Sequence, residues 1–362
     1  MPKVPIDGNA IVYCEGAFDS TYGKTAHGLV RHTRRYCVTG VIDSALVGRD
    51  AGEFLDGRPA GIPLLPDLPS AMESAERAGT PASHFVIGIA PDGGRLSSPI
   101  RDAVLEAVRA GLAVDSGLHD FLSEDSEIVA LAERHGVALR DVRRTPPRGQ
   151  LHAFTGKIEE VGAYRVAVLG TDSAIGKRTT AWKLVDGLEA AGVRAEMVGT
   201  GQTAWMQGAR FGVLLDSLVN DFVAGEIEHA VWTAWREAGP EAIVLEGQGS
   251  LMNPAYPGGF EILAAGRPHA VVLQHAPARR EYDGFPGYAL HPLGTQIQAI
   301  ELLSNRPVIA VTINHERLDR DGVARAAAQI ERETGLPAVD VLLEGANRLV
   351  QAIRRHMGEV AR

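Results

Sequence analysis

A chain of 362 residues is long for a single hydrophobic core, so two domains are the natural expectation. With 45% hydrophobic and 22% charged residues it has the composition of a folded protein in water, and a formal net charge of -9 argues against a nucleic-acid binder, which needs a broad basic excess. The 41 glycines against 6% aromatics point to many tight turns and close backbone approaches, as in α/β folds.

The opening stretch MPKVPIDGNAIVYCEG lacks a charged segment followed by a sustained apolar run and a small-residue cleavage site. No apolar stretch approaches the ~18 residues of a bilayer span, so a soluble cytoplasmic protein with no membrane partner is expected. Cys14 and Cys37 are the only cysteines, and neither has a Cys or His neighbour at metal-ligand spacing. Two buried thiols in a reducing compartment are expected rather than a disulfide or a zinc site. Three apolar runs, AIVYCEG (Ala10–Gly16), RYCVTGVID (Arg35–Asp43) and HFVIGIA (His84–Ala90), read as buried strands. In PIRDAVLEAVRAG (Pro99–Gly111), Ile100, Val104, Leu105 and Val108 recur at helical spacing between an initiating proline and a terminating glycine. SEIVALAERHG (Ser126–Gly136) reads as another helix, ahead of a strand in VALRDVR. Strand and helix alternating in this way imply a parallel sheet covered on both faces.

RRTPPRG (Arg143–Gly149) breaks that rhythm and marks the boundary between a domain of residues 1–147 and one of residues 148–362. The second domain runs from the strand YRVAVLG into the helix GKRTTAWKLVDGLEAAG, then the strand VRAEMVG and a long helical region from Ser217 to Glu237. Further strands are expected at Ala242–Gly247, His269–Ala276, Pro307–Asn314 and Ala338–Glu344, and the helix GANRLVQAIRRHMG closes the chain. The fold class is α/β, with two doubly wound parallel-sheet domains.

The segment VAVLGTDSAIGKRTTAW (Val166–Trp182) resembles a phosphate-binding loop with altered spelling. Five residues separate Gly170 from Gly176, one more than in the standard loop, and Arg178 stands where a magnesium-binding Ser or Thr is usual. A buried strand, an abrupt turn and a helix start still make an anion site. The first amides of the helix are unpaired, its dipole adds about half a positive charge, and Lys177 adds a full one. Thr171, Ser173, Thr179 and Thr180 offer hydroxyls. The alternative is a plain strand–turn–helix in which Gly and Lys are incidental.

This loop resembles the GTDTxxGKT loop of dethiobiotin synthetase. IVLEGQGS (Ile243–Ser250) is similar to the VEGAGG segment of those enzymes, and VTIN ends in Asn314, where such folds often read a purine base. Arg178 moves the first candidate magnesium hydroxyl to Thr179. A wider resemblance, carried by YGKTAHGLVRHTRRYCVTGVIDSALVGRDAGE, VGTGQTAWMQG, VNDFVAGEIE, VLEGQGSLMNPAYPG and QHAPARREYDGFP, is to the D-glutamate N-acetyltransferase family. It implies an N-terminal Rossmann-like domain, a C-terminal P-loop NTPase-like domain, and transfer of acetyl from acetyl-CoA to D-glutamate. Coenzyme A carries a pyrophosphate and a ribose phosphate, so a phosphate nest without the usual magnesium hydroxyl can serve it. The coenzyme set is then Gly170, Thr171, Asp172, Ser173, Gly176, Lys177, Arg178, Thr179, Thr180 and Asn314.

The acceptor must be a neutral amine, which calls for a base, and a developing oxyanion calls for donors. Glu246, at a strand end amid glycines, is a candidate base or metal ligand, or else a helix cap. Gln248 and Ser250 on the same turn are candidate donors to a carbonyl. His275 ends another strand and is a second candidate catalytic group, or a satisfied core histidine. Thr200, Gln202 and Thr203 follow the second strand of the domain and are candidate substrate contacts, or a self-stabilised polar loop. Asn220, Asp221 and Glu226 punctuate a helix whose solvated face explains them equally well. Arg279 and Arg280 suit substrate carboxylates, which guanidinium groups grip in two-pronged fashion; Tyr282 and Asp283 share their loop. Lys24, with Gly23 and Thr25, is a second Gly-Lys-Thr that binds an anion or merely starts a helix. Asp43 occupies the place of a ribose-binding acid, but no full G-x-G-x-x-G precedes it.

The expected function is an acetyl-CoA-dependent N-acetyltransferase acting on D-glutamate or a similar amino acid, in a homo-oligomer. One alternative is an ATP- and magnesium-dependent ligase or kinase of dethiobiotin-synthetase type, with Thr179 and Glu246 holding the metal. The other is a nucleotide- or CoA-sensing regulator.

Overall fold

The structure, a computed structural model, describes residues 7–360; the first six residues of the opening stretch lie outside them. The chain divides into two compact units, Met1–Thr145 with Gln202–Ala209, and Pro146–Gly201 with Arg210–Arg362.

The first unit alternates strands β1 (Gly8–Tyr13), β2 (Tyr36–Ile42), β3 (Leu64–Leu65), β4 (His84–Ile87), β5 (Ala113–Ser116) and β6 (Leu139–Asp141) with helices α1 (Lys24–Arg31), α2 (Ala51–Asp56), α3 (Leu68–Arg77), α4 (Ser98–Arg109) and α5 (Ser126–His135). The strands pair in parallel in the order β3-β2-β1-β4-β5-β6, the doubly wound Rossmann arrangement. Period-two alternation along β1 explains why both faces are covered. Ile11 and Tyr13 pack with Phe85, Val104, Leu105 and Ile128, whereas Ala10 and Val12 pack with Phe18, Leu29 and Val41.

The second unit contains β7 (Tyr164–Gly170), α6 (Lys177–Ala190) and β8 (Ala195–Gly199). A short helix, α7 (Gln202–Met206), then belongs to the first unit, where Met206 joins the core beside Leu29. The second unit resumes with β9 (Phe211–Gly212), α8 (Asn220–Ala238), β10 (Ala242–Glu246), α9 (Phe260–Ala265), β11 (Ala270–His275), α10 (Leu293–Ser304), β12 (Val308–Ile313), α11 (Arg320–Thr334), β13 (Ala338–Val339) and α12 (Asn347–Val360). Its parallel order is β13-β12-β11-β7-β10-β8-β9, which places β7 between β10 and β11 at a reversal of strand order. Ligands of open α/β sheets collect at the carboxyl ends of strands flanking such a reversal.

The apolar runs read as strands are strands, because sheets buried on both faces leave continuous hydrophobic stretches. The strand expected over Ala338–Glu344 stops at Val339, because the Asp340 carboxylate accepts hydrogen bonds from the Leu342 and Leu343 amides and turns the chain. Cys14 is buried as expected, but Cys37 is exposed, and both are free thiols. Among the described residues no helix is long and apolar enough to cross a membrane.

Before β7 the chain is strapped onto α8. The Glu228 carboxylate, 3% exposed, accepts from the Thr155 amide at 2.7 Å, the Thr155 hydroxyl at 2.9 Å and the Ile158 amide at 3.2 Å. Glu226 accepts from the His152 amide at 2.6 Å, so it serves this strap rather than a ligand-facing surface. Gly225 lets the two backbones meet, since a Cβ there would lie 2.0 Å from the His152 carbonyl oxygen. Gly225→Ala is therefore expected to lower stability by about 1–3 kcal/mol through overpacking, although alanine is the better helix former. The urea midpoint checks this, and a rise in the midpoint would mean the strap does not lie against α8.

Candidate functional site

Helix α6 starts abruptly. Gly176 adopts φ 99°, a left-handed conformation that suits glycine, and no side chain caps the helix, so its first-turn amides are left for an anion. Lys177 folds back over Gly170: its Nζ donates to the Asp172 carbonyl at 2.7 Å, and a Cβ on Gly170 would sit 2.8 Å from Lys177 Cδ. Glycine is thus required at the turn for the lysine to reach the mouth of the loop. The residues present fit a phosphate group.

Asp172, fully buried, holds this mouth in shape. One carboxylate oxygen accepts from the Ser173 amide at 2.7 Å and Asn253 Nδ2 at 2.8 Å. The other accepts from Arg279 Nη1 at 2.7 Å and the Asp283 amide at 2.9 Å. Arg279 also donates to the Ser173 carbonyl at 2.9 Å and, through Nη2, to Glu316 at 2.7 Å. These two residues were read as coenzyme and substrate contacts; their hydrogen bonds instead clasp the loop to its neighbours. Arg280 beside them is exposed.

The other loop residues divide by what engages them. Thr171 is fully buried, with its hydroxyl 3.0 Å from His275 Nδ1, and Thr180 donates to Gln274 Oε1 at 2.5 Å. Ser173, Arg178 and Thr179 are half-buried, and among the described residues no hydrogen bond engages the Thr179 hydroxyl. Asn314, expected to read a base, donates to the Ile175 carbonyl at 2.9 Å and accepts from the Glu316 amide at 2.8 Å, which makes it a brace behind the loop.

Glu246 lies on the strand next to β7, in register with Val168. It accepts from the Thr200 amide at 2.8 Å, and the Thr200 hydroxyl donates to its main-chain carbonyl at 3.1 Å. Gln248 Nε2 donates to the Thr200 carbonyl. Burial pushes the Glu246 carboxyl above its ordinary range, although the Arg178 and Lys177 charges and the Thr200 amide pull it down. Those two cations act on this carboxylate, so acid and loop occupy one end of the sheet. The Ser250 hydroxyl on the same turn is buried with no hydrogen-bond partner. Burial holds the His275 imidazole down at about 4, so near neutral pH it is an uncharged partner of Thr171.

Most of the sequence-derived set therefore meets in the second unit. Gln202, Thr203 and Lys24 belong to the first: the Thr203 hydroxyl lies 2.9 Å from that of Thr25, Gln202 packs on Gly117, and Lys24 is exposed at the start of α1. Asp43 is likewise a structural acid, accepting from the Phe18 and Ala45 amides. Sequence reasoning missed Asn253, Gln274 and Glu316, and also a dyad in which His315 Nδ1 lies 2.6 Å from buried Asp340 Oδ2. Asn253 lies within the quoted LMNPAYPG segment, but nothing local announces its partner. Among the described residues no group of three His, Cys, Asp or Glu side chains could hold a metal ion.

Fold and loop together define a two-domain α/β protein with a Rossmann-like unit and a P-loop unit. A family described as a domain of unknown function, DUF1611, matches its P-loop domain to residues 152–350 and its Rossmann-like domain to residues 44–145. The chain belongs to this family, and two relatives it matches carry the name D-glutamate N-acetyltransferase. It is 32% identical over 295 residues to the D-glutamate N-acetyltransferase of Tritonibacter scottomollicae, spanning 78% of this chain and 84% of that one. It is 29% identical to the one from a Pseudoalteromonas species, over 76% and 82% of the two chains. The crystal structure of a DUF1611 family protein from Anabaena variabilis, 29% identical, superposes with a TM-score of 0.86 over 96% of this chain and 99% of that chain.

Two outcomes follow from the buried acids. Asp172→Ala leaves Arg279 with one of its two carboxylate partners and should cost about 3 kcal/mol in a denaturant titration; an unchanged midpoint would show that the clasp contributes little. Glu246 binds its proton more tightly folded than unfolded, so its contribution to stability is present below the unfolded value of 4.5 and is lost as pH rises through the higher folded one. Glu246→Gln should therefore melt above the wild type at pH 8, with the gap closing as pH falls toward 4.5. A gap independent of pH would mean the acid is not strained by burial.

Proposed function

We propose that this protein transfers acetyl from acetyl-CoA to the amino group of D-glutamate. The observation that carries the reading is a buried carboxylate, Glu246, at the same sheet end as an uncapped helix start bearing Lys177 and Arg178. The relatives' names supply the acyl group and the acceptor. Lys177 and the amides opening α6 hold the coenzyme phosphates, and the thioester supplies an activated acetyl carbonyl. Glu246 takes the ammonium proton of the amino acid; its raised affinity for protons brings it closer to the amine it must deprotonate. The amine nitrogen bonds to the carbonyl carbon as the carbon–sulfur bond breaks; the first proton, held by Glu246, is released to solvent, and the second proton lost by the nitrogen goes to the departing thiolate. A neutral His275 keeps Thr171 in place beneath the loop.

A specific observation also favours a second reading, ATP-dependent ligase or kinase chemistry: the unengaged Thr179 hydroxyl on the first turn of α6 would suit a nucleotide-bound magnesium ion.

Calorimetry and thiol release separate the two. Coenzyme A should bind without magnesium, and thiol release should depend on D-glutamate; nucleotide binding that requires magnesium, without thiol release, would overturn the transferase. Lys177→Ala should weaken coenzyme binding by about 1.5–3 kcal/mol, the range for a charged hydrogen bond. Glu246→Gln should keep that affinity and lose roughly 100- to 10,000-fold in turnover.

A further inference from the structure

Three aromatic rings lie on turns that are hydrogen-bonded to the phosphate loop through Asp172. Tyr256 is 53% exposed and Tyr288 58% exposed, and half-buried Phe285 lies between them, with centroids 6.3 Å from each in edge-to-face contact. Two different loops carry them, and both are fixed to Asp172. Asn253 donates to one Asp172 oxygen, and its own Oδ1 accepts from the Tyr256 amide at 2.8 Å. The Asp283 amide donates to the other oxygen, and two residues later comes Phe285, whose amide donates to the Tyr282 carbonyl at 3.0 Å. Gly284 and Gly287, at φ 80° and 87°, shape the turns on either side of Phe285. The rings are thus held by a short chain of hydrogen bonds to the residue that shapes the phosphate mouth.

From this arrangement we propose that Tyr256, Phe285 and Tyr288 form a stacking subsite for the adenine ring of the ligand whose phosphates the loop binds. The proposal rests on the phosphate reading of that loop. Every base presents a flat π-face, and exposed tyrosines and phenylalanines supply matching faces without needing polar readers. Asn314, the residue expected to read a base, spends one donor on the Ile175 carbonyl and accepts from the Glu316 amide. The shared chemistry is an adenosine bearing a 5′ pyrophosphate, present in both coenzyme A and ADP.

The test titrates coenzyme A, ADP and inorganic pyrophosphate into the wild type and into Tyr256→Leu, Phe285→Leu and Tyr288→Leu, without magnesium and with melting temperatures as a folding control. Each tyrosine variant should bind the adenine-bearing ligand about tenfold more weakly, while pyrophosphate affinity is unchanged. Weakening confined to coenzyme A identifies it as the source of the ring, and weakening of ADP as well assigns the subsite to the common adenosine. Unaltered affinity for both adenine ligands alongside normal pyrophosphate binding overturns the subsite alone. A wild type that binds none of the three overturns the loop reading, and this inference with it.

Discussion

A carboxylate sealed from water fixes the working end of the second unit. Asp172 follows the first residue of the loop, is fully buried, and meets four donors contributed by the loop itself, by the turn after β10 and by the turn after β11. A buried charge is tolerable only when its hydrogen bonds are satisfied, so the burial of Asp172 obliges three separated segments to converge. That convergence gives the extra residue between Gly170 and Gly176 a physical role. The longer loop turns inward at Asp172, then swings outward through Ala174, which takes a positive φ of 51°, and reaches the glycine that opens the helix.

Beside this saturated acid stands an unsaturated one. Glu246 receives one amide hydrogen bond on its carboxylate and is held above its ordinary proton affinity by burial. Of two buried carboxylates one strand apart, Asp172 is enclosed by four donors, whereas Glu246 is held toward its protonated form by burial, the kind of perturbation that marks a candidate reactive acid. The neighbouring Ser250 hydroxyl, buried without a partner, adds to the unmet polar capacity of that turn.

Much of the architecture was legible because β7, β10, β11 and β12 are covered on both faces and so write themselves as unbroken apolar runs. Gly176 and Lys177 announced the helix start, since their chemistry is local. Side-chain direction was not legible. Arg279 was found by its place after a strand, yet its partner lies 107 positions away at Asp172, and Asn253 reaches the same acid across 81 positions. Long-range pairing of this kind leaves no periodicity to read. The unit to which Gln202 and Thr203 belong was hidden for a related reason: they follow soon after β8, and only tertiary packing assigns them to the other unit.

That assignment has a consequence for how the chain matures. Gln207 donates through Nε2 to the Gly28 and His32 carbonyls, and Arg35 lies 3.8 Å above the ring of Trp205. The first unit therefore lacks a wall until a segment some 60 residues beyond its own last strand has been synthesised. A ribosome that has released only the stretch up to Thr145 presents a module still lacking Trp205 and Gln207, and the order of translation becomes a waiting step in its assembly.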